Sequence, residues 1–80
     1  MPEKTVREKV IQMAMVDEDI PNRERAEVEA LLTQVEPMIN SMAVMCGGAR
    51  WNTHEDTQSP MFYQMALSSM KIMVMPPEGR

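Results

Sequence analysis

Apolar residues recur at steps of three and four along most of the chain, and three segments hold that period long enough to predict helices. The first opens at Thr5. Thr5 and Glu8 have the Thr-x-x-Glu spacing of a capping box, in which two side chains satisfy amides that the first helical turn leaves unbonded. Val6, Val10, Met13 and Ala14 follow at helical spacing, and Ile11 and Val16 widen the stripe. The pattern stops at Asp17-Glu18-Asp19, acids placed where a helix end favours cations. Ile20-Pro21-Asn22 reads as a turn, because proline disfavours helical geometry in the residue before it.

Asn22 is the expected cap of the second helix, with Pro21 in its first turn as the alternative. Val28, Leu31, Leu32, Val35, Met38, Ile39, Met42, Met45 and Cys46 then form the longest apolar stripe in the chain. Pro37 falls inside it and removes a helical hydrogen bond. Two arrangements are compatible with it. One helix kinks at Pro37, or Glu36 ends one helix and Pro37 starts the next. The stripe keeps its phase across the proline, which favours a kink or a tight break over a long loop. Gly47-Gly48 ends the segment in either case.

Residues 49–60 lack periodicity and are rich in turn-forming residues, so they read as one polar loop. Ser59 and Pro60 read as the cap and first position of the last helix. Its stripe is Met61, Phe62, Met65, Ala66, Ser69, Met70 and Met73, and Lys71 suits its C-terminal end. The run from Lys71 to Met75 has a second reading as a short strand, although no strand elsewhere offers to pair with it. Pro76-Pro77 terminates the helix and opens a short flexible tail at 76–80. The expectation is an all-α fold. A single domain over residues 1–80 forms a small helical bundle, or a helical hairpin assembly, of three to four helices.

Composition adds a constraint on partners. Eleven of the 80 residues are methionine, eight of them between Met38 and Met75, with one Phe, one Tyr and one Trp. Methionine is flexible and polarizable, so a core rich in it is weakly specified by its own packing. Small domains are hard to stabilise without a disulfide, a metal or a second subunit. Cys46 is the single cysteine, which rules out an intrachain disulfide. These features together predict an apolar surface completed by another chain.

Charge narrows the partner further. Lys and Arg number 8 against 12 acids, for a net charge of -4, and no basic cluster is present. Direct nucleic-acid binding, which needs positive charge against phosphate, is disfavoured. The opening MPEKTVREK lacks the apolar stretch of a signal peptide, and no apolar run has the length of a membrane span. With the lone cysteine, this predicts a reducing, cytoplasmic setting.

Candidate chemistry is sparse. Cys46, His54, Glu55 and Asp56 lack the paired Cys or His spacing of a structural zinc site. Met38, Met42 and Met45, and likewise Met61 and Met65, offer soft sulfurs of the kind that select Cu(I). Their apolar neighbours Ile39, Val44, Phe62 and Leu67 mark them instead as an apolar stripe. No metal or cofactor is expected. Cys46 and His54, with Asp56 or Asn52 to orient the ring, are the only nucleophile–base pair the chain offers, and a helical chain this short leaves little room for a cleft. Gly47-Gly48-Ala49-Arg50 lacks the Gly-Lys-Ser or Gly-Lys-Thr of a phosphate loop.

Two surface features remain. Asp17, Glu18, Asp19, Glu24 and Glu27, with Glu29 behind them, form an acidic patch suited to steering toward a basic protein. Arg50 and Trp51 are residue types enriched at interface hot spots, and Trp51 either packs back over the core or waits for a partner. The functional expectation is a non-enzymatic protein-binding module, such as an adaptor, inhibitor or small chaperone. Its surface is expected to comprise Met38, Met42, Met45, Arg50, Trp51, Met61, Phe62, Met65, Met70 and Met73. The alternatives are a subunit of a structural homo-oligomer, or a small enzyme using Cys46 and His54.

Overall fold

The computed structural model describes residues 4–74, and among them the fold is all-α with no strands. Three helices form it: α1 (Val6–Val16), α2 (Arg25–Ala43) and α3 (Pro60–Val74). Short 3-10 turns occupy Val44–Cys46 and Glu55–Thr57. The end of α3 shares a groove with the first half of α2, where Met73 and Val74 meet Glu27, Ala30, Leu31 and Gln34. At the other end, Trp51 touches both Asn40 of α2 and Phe62 of α3. These two helices are therefore antiparallel. Lys9 stacks on Tyr63, and Asp17 pairs with Lys71, so α1 runs parallel to α3. The path is up, down and up again.

The core gathers the predicted stripes. Val6, Val10, Ile11 and Ala14 of α1 meet Val28, Leu31, Leu32, Val35, Ile39 and Ala43 of α2, and Phe62, Tyr63, Ala66, Leu67 and Met70 of α3. Ile20, from the turn between α1 and α2, is also fully buried.

Local chemistry sets most helix ends. The Thr5 hydroxyl accepts from the Glu8 amide at 3.1 Å, and α1 stops at Val16 before the acids. Only half of the expected capping box is used, because the Glu8 carboxylate binds the Arg25 guanidinium instead. Pro60 is the first residue of α3, directly after Ser59. At the end of α2, the Gly48 amide reaches the Ala43 carbonyl at 2.8 Å and the Gly47 amide reaches Val44 at 3.3 Å. That pairing is a Schellman closure, and it needs the left-handed φ of 89° that Gly47 adopts without a side-chain penalty.

Three expectations resolve or change. Pro37 does not divide the second helix, since α2 runs through it as one element. Pro37 faces solvent, while Val28 to Val35 before it and Ile39 and Ala43 after it enter the same core. Shared burial on both sides holds the segment helical despite the lost hydrogen bond. Asn22 is not the cap of α2, because the helix begins at Arg25 with Glu24 at the cap position and no side-chain bond to it. Burial of Ile20 fixes the preceding turn, and the chain remains non-helical from there to Glu24. Residues 71–74 belong to α3, which settles the strand alternative for them. Met75 and the expected tail at 76–80 lie outside the described residues.

The polar loop is tied down. The Val6 and Arg7 amides of the first turn of α1 donate to the Thr53 and Trp51 carbonyls at 2.8 and 3.0 Å. The Glu55 amide donates to the Lys4 carbonyl at 2.9 Å. The loop thereby satisfies helix-end amides that would otherwise lack partners.

Candidate protein-binding surface

The second half of α2 and the turn that follows set up a surface with little charge. From Pro37 to Thr53, Arg50 is the one Lys, Arg, Asp or Glu, and residues 60–70 carry none. Their exposed side chains are apolar Met38, Met42, Val44, Met45 and Met61 among neutral polar residues such as Asn40, Ser41, Gln64 and Ser68. Met38 and Met42 sit one helical turn apart and are each 37% exposed, while Val44 and Met45 reach 73% and 91%. Their exposure follows from the fold. The core side of α2 is filled by Val35, Ile39 and Ala43, which leaves Met38 and Met42 on the flank and the 3-10 turn outside the core. Antiparallel packing brings the start of α3 to this same end, where Met61 is exposed and Met65 is partly buried against the core.

Other members of the expected surface are placed differently. Phe62 and Met70 are fully buried and present nothing to a partner. They lie on the inner face of α3 beside Ala66. Met73 is exposed, but it lies at the far end of α3 in the groove with Leu31 and so does not join Met38, Met42 and Met45. Trp51 folds back. Its ring meets Phe62 edge-on at 5.4 Å, and its indole N–H donates to Asn40 Oδ1 at 2.7 Å. It closes the end of the bundle as a half-buried lid. Arg50 is exposed, while its backbone amide is held by Gln58 Oε1 at 2.6 Å.

The acidic patch is partly neutralised. Lys71 Nζ lies 3.1 Å from Asp17 and 3.7 Å from Asp19. The Asp17 carboxyl is held below its usual range, first by the Asp19 amide and then by Lys71. Arg25 binds Glu8 and Glu29, each at 2.7 Å, which holds the Glu8 carboxyl low as well. Glu18, Glu24 and Glu27 remain exposed, with no ion pair among the described residues. The sequence shows the acids together; the distant Lys71 that answers two of them is supplied by the packing of α1 beside α3.

The Cys–His pairing gains no support from hydrogen bonding. His54 Nδ1 accepts from the Asp56 amide at 3.1 Å, as the cap of its own 3-10 turn. Cys46 sits half-buried in the turn after α2. Among the described residues, no group of three or more His, Cys, Asp or Glu side chains is arranged to hold a metal.

One concavity has no forerunner in the sequence. A cleft of about 270 Å³ lies between α1, the second 3-10 turn and the start of α3, lined by Lys9, Met13, Glu55, Asp56, Gln58, Pro60, Tyr63 and Gln64. Lys9 Nζ sits 4.6 Å from the centre of the Tyr63 ring and 3.7 Å from Glu55 Oε1. The Tyr63 hydroxyl donates to the Glu55 carbonyl at 2.6 Å. No single motif marks these residues, since they come from separate elements.

Among the described residues, no helix is long and apolar enough to cross a membrane. No family model, curated protein or solved structure matches the chain.

Proposed function

We propose that the chain is a non-enzymatic protein-binding module of the adaptor, inhibitor or small-chaperone kind. Met38, Met42, Val44 and Met45, with Met61, form its contact surface, and Arg50 is the charged group beside them. The observation behind this reading is the exposure of flexible apolar side chains on a stretch almost free of charge, in a chain that is charged elsewhere. Exposed apolar area of this kind is characteristic of interaction sites, and methionine adapts its shape to a partner. Arg50 suits a carboxylate on that partner. The exposed Glu18, Glu24 and Glu27, at the far end of α2, add long-range attraction toward basic surfaces without forming the contact. The lone Cys46 fits a reducing, cytoplasmic location.

The test is the triple substitution M38Q/M42Q/M45Q beside M38L/M42L/M45L. All three positions are exposed, so both variants retain the helical circular dichroism of the parent. Partners crosslinked to the parent are lost with the Gln variant and kept with the Leu variant. An unchanged partner set with the Gln variant overturns the proposal. Sedimentation of the same proteins tells whether the partner is a second copy of this chain.

A further inference from the structure

The cleft beside Tyr63 has the chemistry of a cation seat. One wall is the face of an aromatic ring, which attracts a cation through its negative π face. The rim carries the Glu55 and Asp56 carboxylates, and Lys9 is the single cationic lining residue. The Asp56 carboxylate lies 3.4 Å from His54 Nδ1, an atom that accepts from the Asp56 amide. Among the lining residues, two carboxylates thus meet one ammonium. The Tyr63 hydroxyl is committed to the Glu55 carbonyl, and the residue, only 3% exposed, carries the Lys9 ammonium on its ring face. Burial opposes ionisation of that phenol, and so do the charges of Glu55 and Asp56, whose negative field therefore reaches the ring. Lys9 shows what such a site accepts, because its ammonium is already placed over the ring and beside the carboxylate. Lys9 also lies on the first half of a surface helix with a flexible four-carbon stem, and an ammonium on such a stem withdraws to water at little cost.

We propose that this cleft binds an alkylammonium or alkylguanidinium group, and that Lys9 is an internal occupant which an incoming cation displaces. The site is separate from the methionine surface and does not depend on it. The cation is either a free amine or a basic side chain on a peptide, and both share the chemistry that Tyr63, Glu55 and Asp56 recognise.

Tyr63 is the only tyrosine, so its ring proton resonances are resolved from all others and include the face that borders the cleft. The experiment titrates n-butylammonium, n-butylguanidinium and the blocked tripeptide acetyl-Gly-Lys-Gly-amide into the parent and into K9A, with n-butanol as the neutral control. Saturable shifts of the Tyr63 resonances are expected with the cations and not with butanol. Binding to K9A is expected to be about tenfold tighter than to the parent, the ratio for a competing group whose removal relieves roughly 1.4 kcal/mol. Adding E55Q and D56N to K9A removes the binding while leaving helical circular dichroism intact, since Asp56 is exposed and Glu55 holds Tyr63 through its backbone carbonyl. Tighter binding of the tripeptide than of butylammonium assigns the site to a peptide side chain, and the reverse assigns it to a free amine. If folded K9A shows no saturable shift with any cation, or responds equally to butanol, the seat does not exist. Equal affinity of the parent and K9A overturns the role given to Lys9.

Discussion

Leu32 shows how a single side chain bears on the whole. It is fully buried at the middle of α2, in the core that this helix shares with α1 and α3. Replacing it with Ala removes apolar contact and leaves a cavity that neighbouring side chains fill only in part. The expected cost is about 2–5 kcal/mol. For a domain of this size that is comparable with its entire stability, so Leu32→Ala is expected to be largely unfolded by thermal or urea denaturation at room temperature. Met42 gives the contrast from the same stripe. It stands on the flank, partly exposed, and Met42→Ala is expected to be mild in the same assay. An equal loss at both positions means that α2 faces another way. Ser69 and Gln58, polar yet buried, do not weaken this core. The Ser69 hydroxyl donates to the Met65 carbonyl at 3.1 Å, and Gln58 accepts from Arg50 at 2.6 Å.

Each helix combines an end set by a few local atoms with a body held by burial. The C-terminal end of α2 depends on Gly47 and Gly48, both at positive φ, with open space where a Cβ would stand. No collision opposes a side chain there, so the cost of Gly47→Ala is the backbone conformation alone, about 1–2 kcal/mol. The measurement is the urea midpoint, and an unchanged midpoint means that the turn adopts another geometry. Pro37 lies at the opposite extreme. Its cost to the helix is absorbed by Leu32, Val35, Ile39 and Ala43, which bind the segment to the core on both sides. The start of α1 is shared between its own Thr5 and the distant Trp51 and Thr53 carbonyls, so the polar loop functions as part of that helix end.

For the molecule as a whole, exposed apolar side chains stand at both ends of the bundle, with Val16, Ile72 and Met73 at the end that also carries the acids. One end carries exposed Met38, Met42, Val44 and Met45, and the other carries Asp17 and Asp19 clasped to Lys71. The clasp joins the ends of α1 and α3, and its Asp17 carboxylate, held low first by the Asp19 amide and then by Lys71, makes stability depend on pH. The folded-state pKa of Asp17 is below its ordinary 3.8, so its contribution is present above that value and is lost as pH falls through the depressed one. Urea denaturation from neutral pH to about pH 2 is expected to show falling stability of the parent in acid. Asp17→Asn is expected to be less stable at neutral pH and to flatten the acid limb. Part of the slope persists in that variant, because Glu8 is also held low by Arg25. Parallel acid limbs for the parent and Asp17→Asn show that the Asp17 carboxylate contributes nothing to the acid slope.

The sequence by itself determined the elements of this protein whose causes are local. Thr5, Gly47-Gly48 and Pro60 act within a few residues of themselves, and the three- and four-residue spacing of Val, Leu, Ile and Ala requires a buried helical face wherever those residues stand. Helix type, most helix ends and the greater part of the core follow from them. The tertiary structure decided which of several similar apolar residues the core takes. Met38, Met42, Met45, Met65 and Met70 all belong to predicted helical stripes and share one chemistry, yet Met70 lies on the inner face of α3 while Met45 lies in the 3-10 turn outside the core. It also decided the contacts between distant residues: Lys71 on Asp17, Lys9 over Tyr63, and Trp51 over Phe62. Such pairs leave no spacing signal along the chain, because the distance that brings them together is set by helix packing and not by helical period.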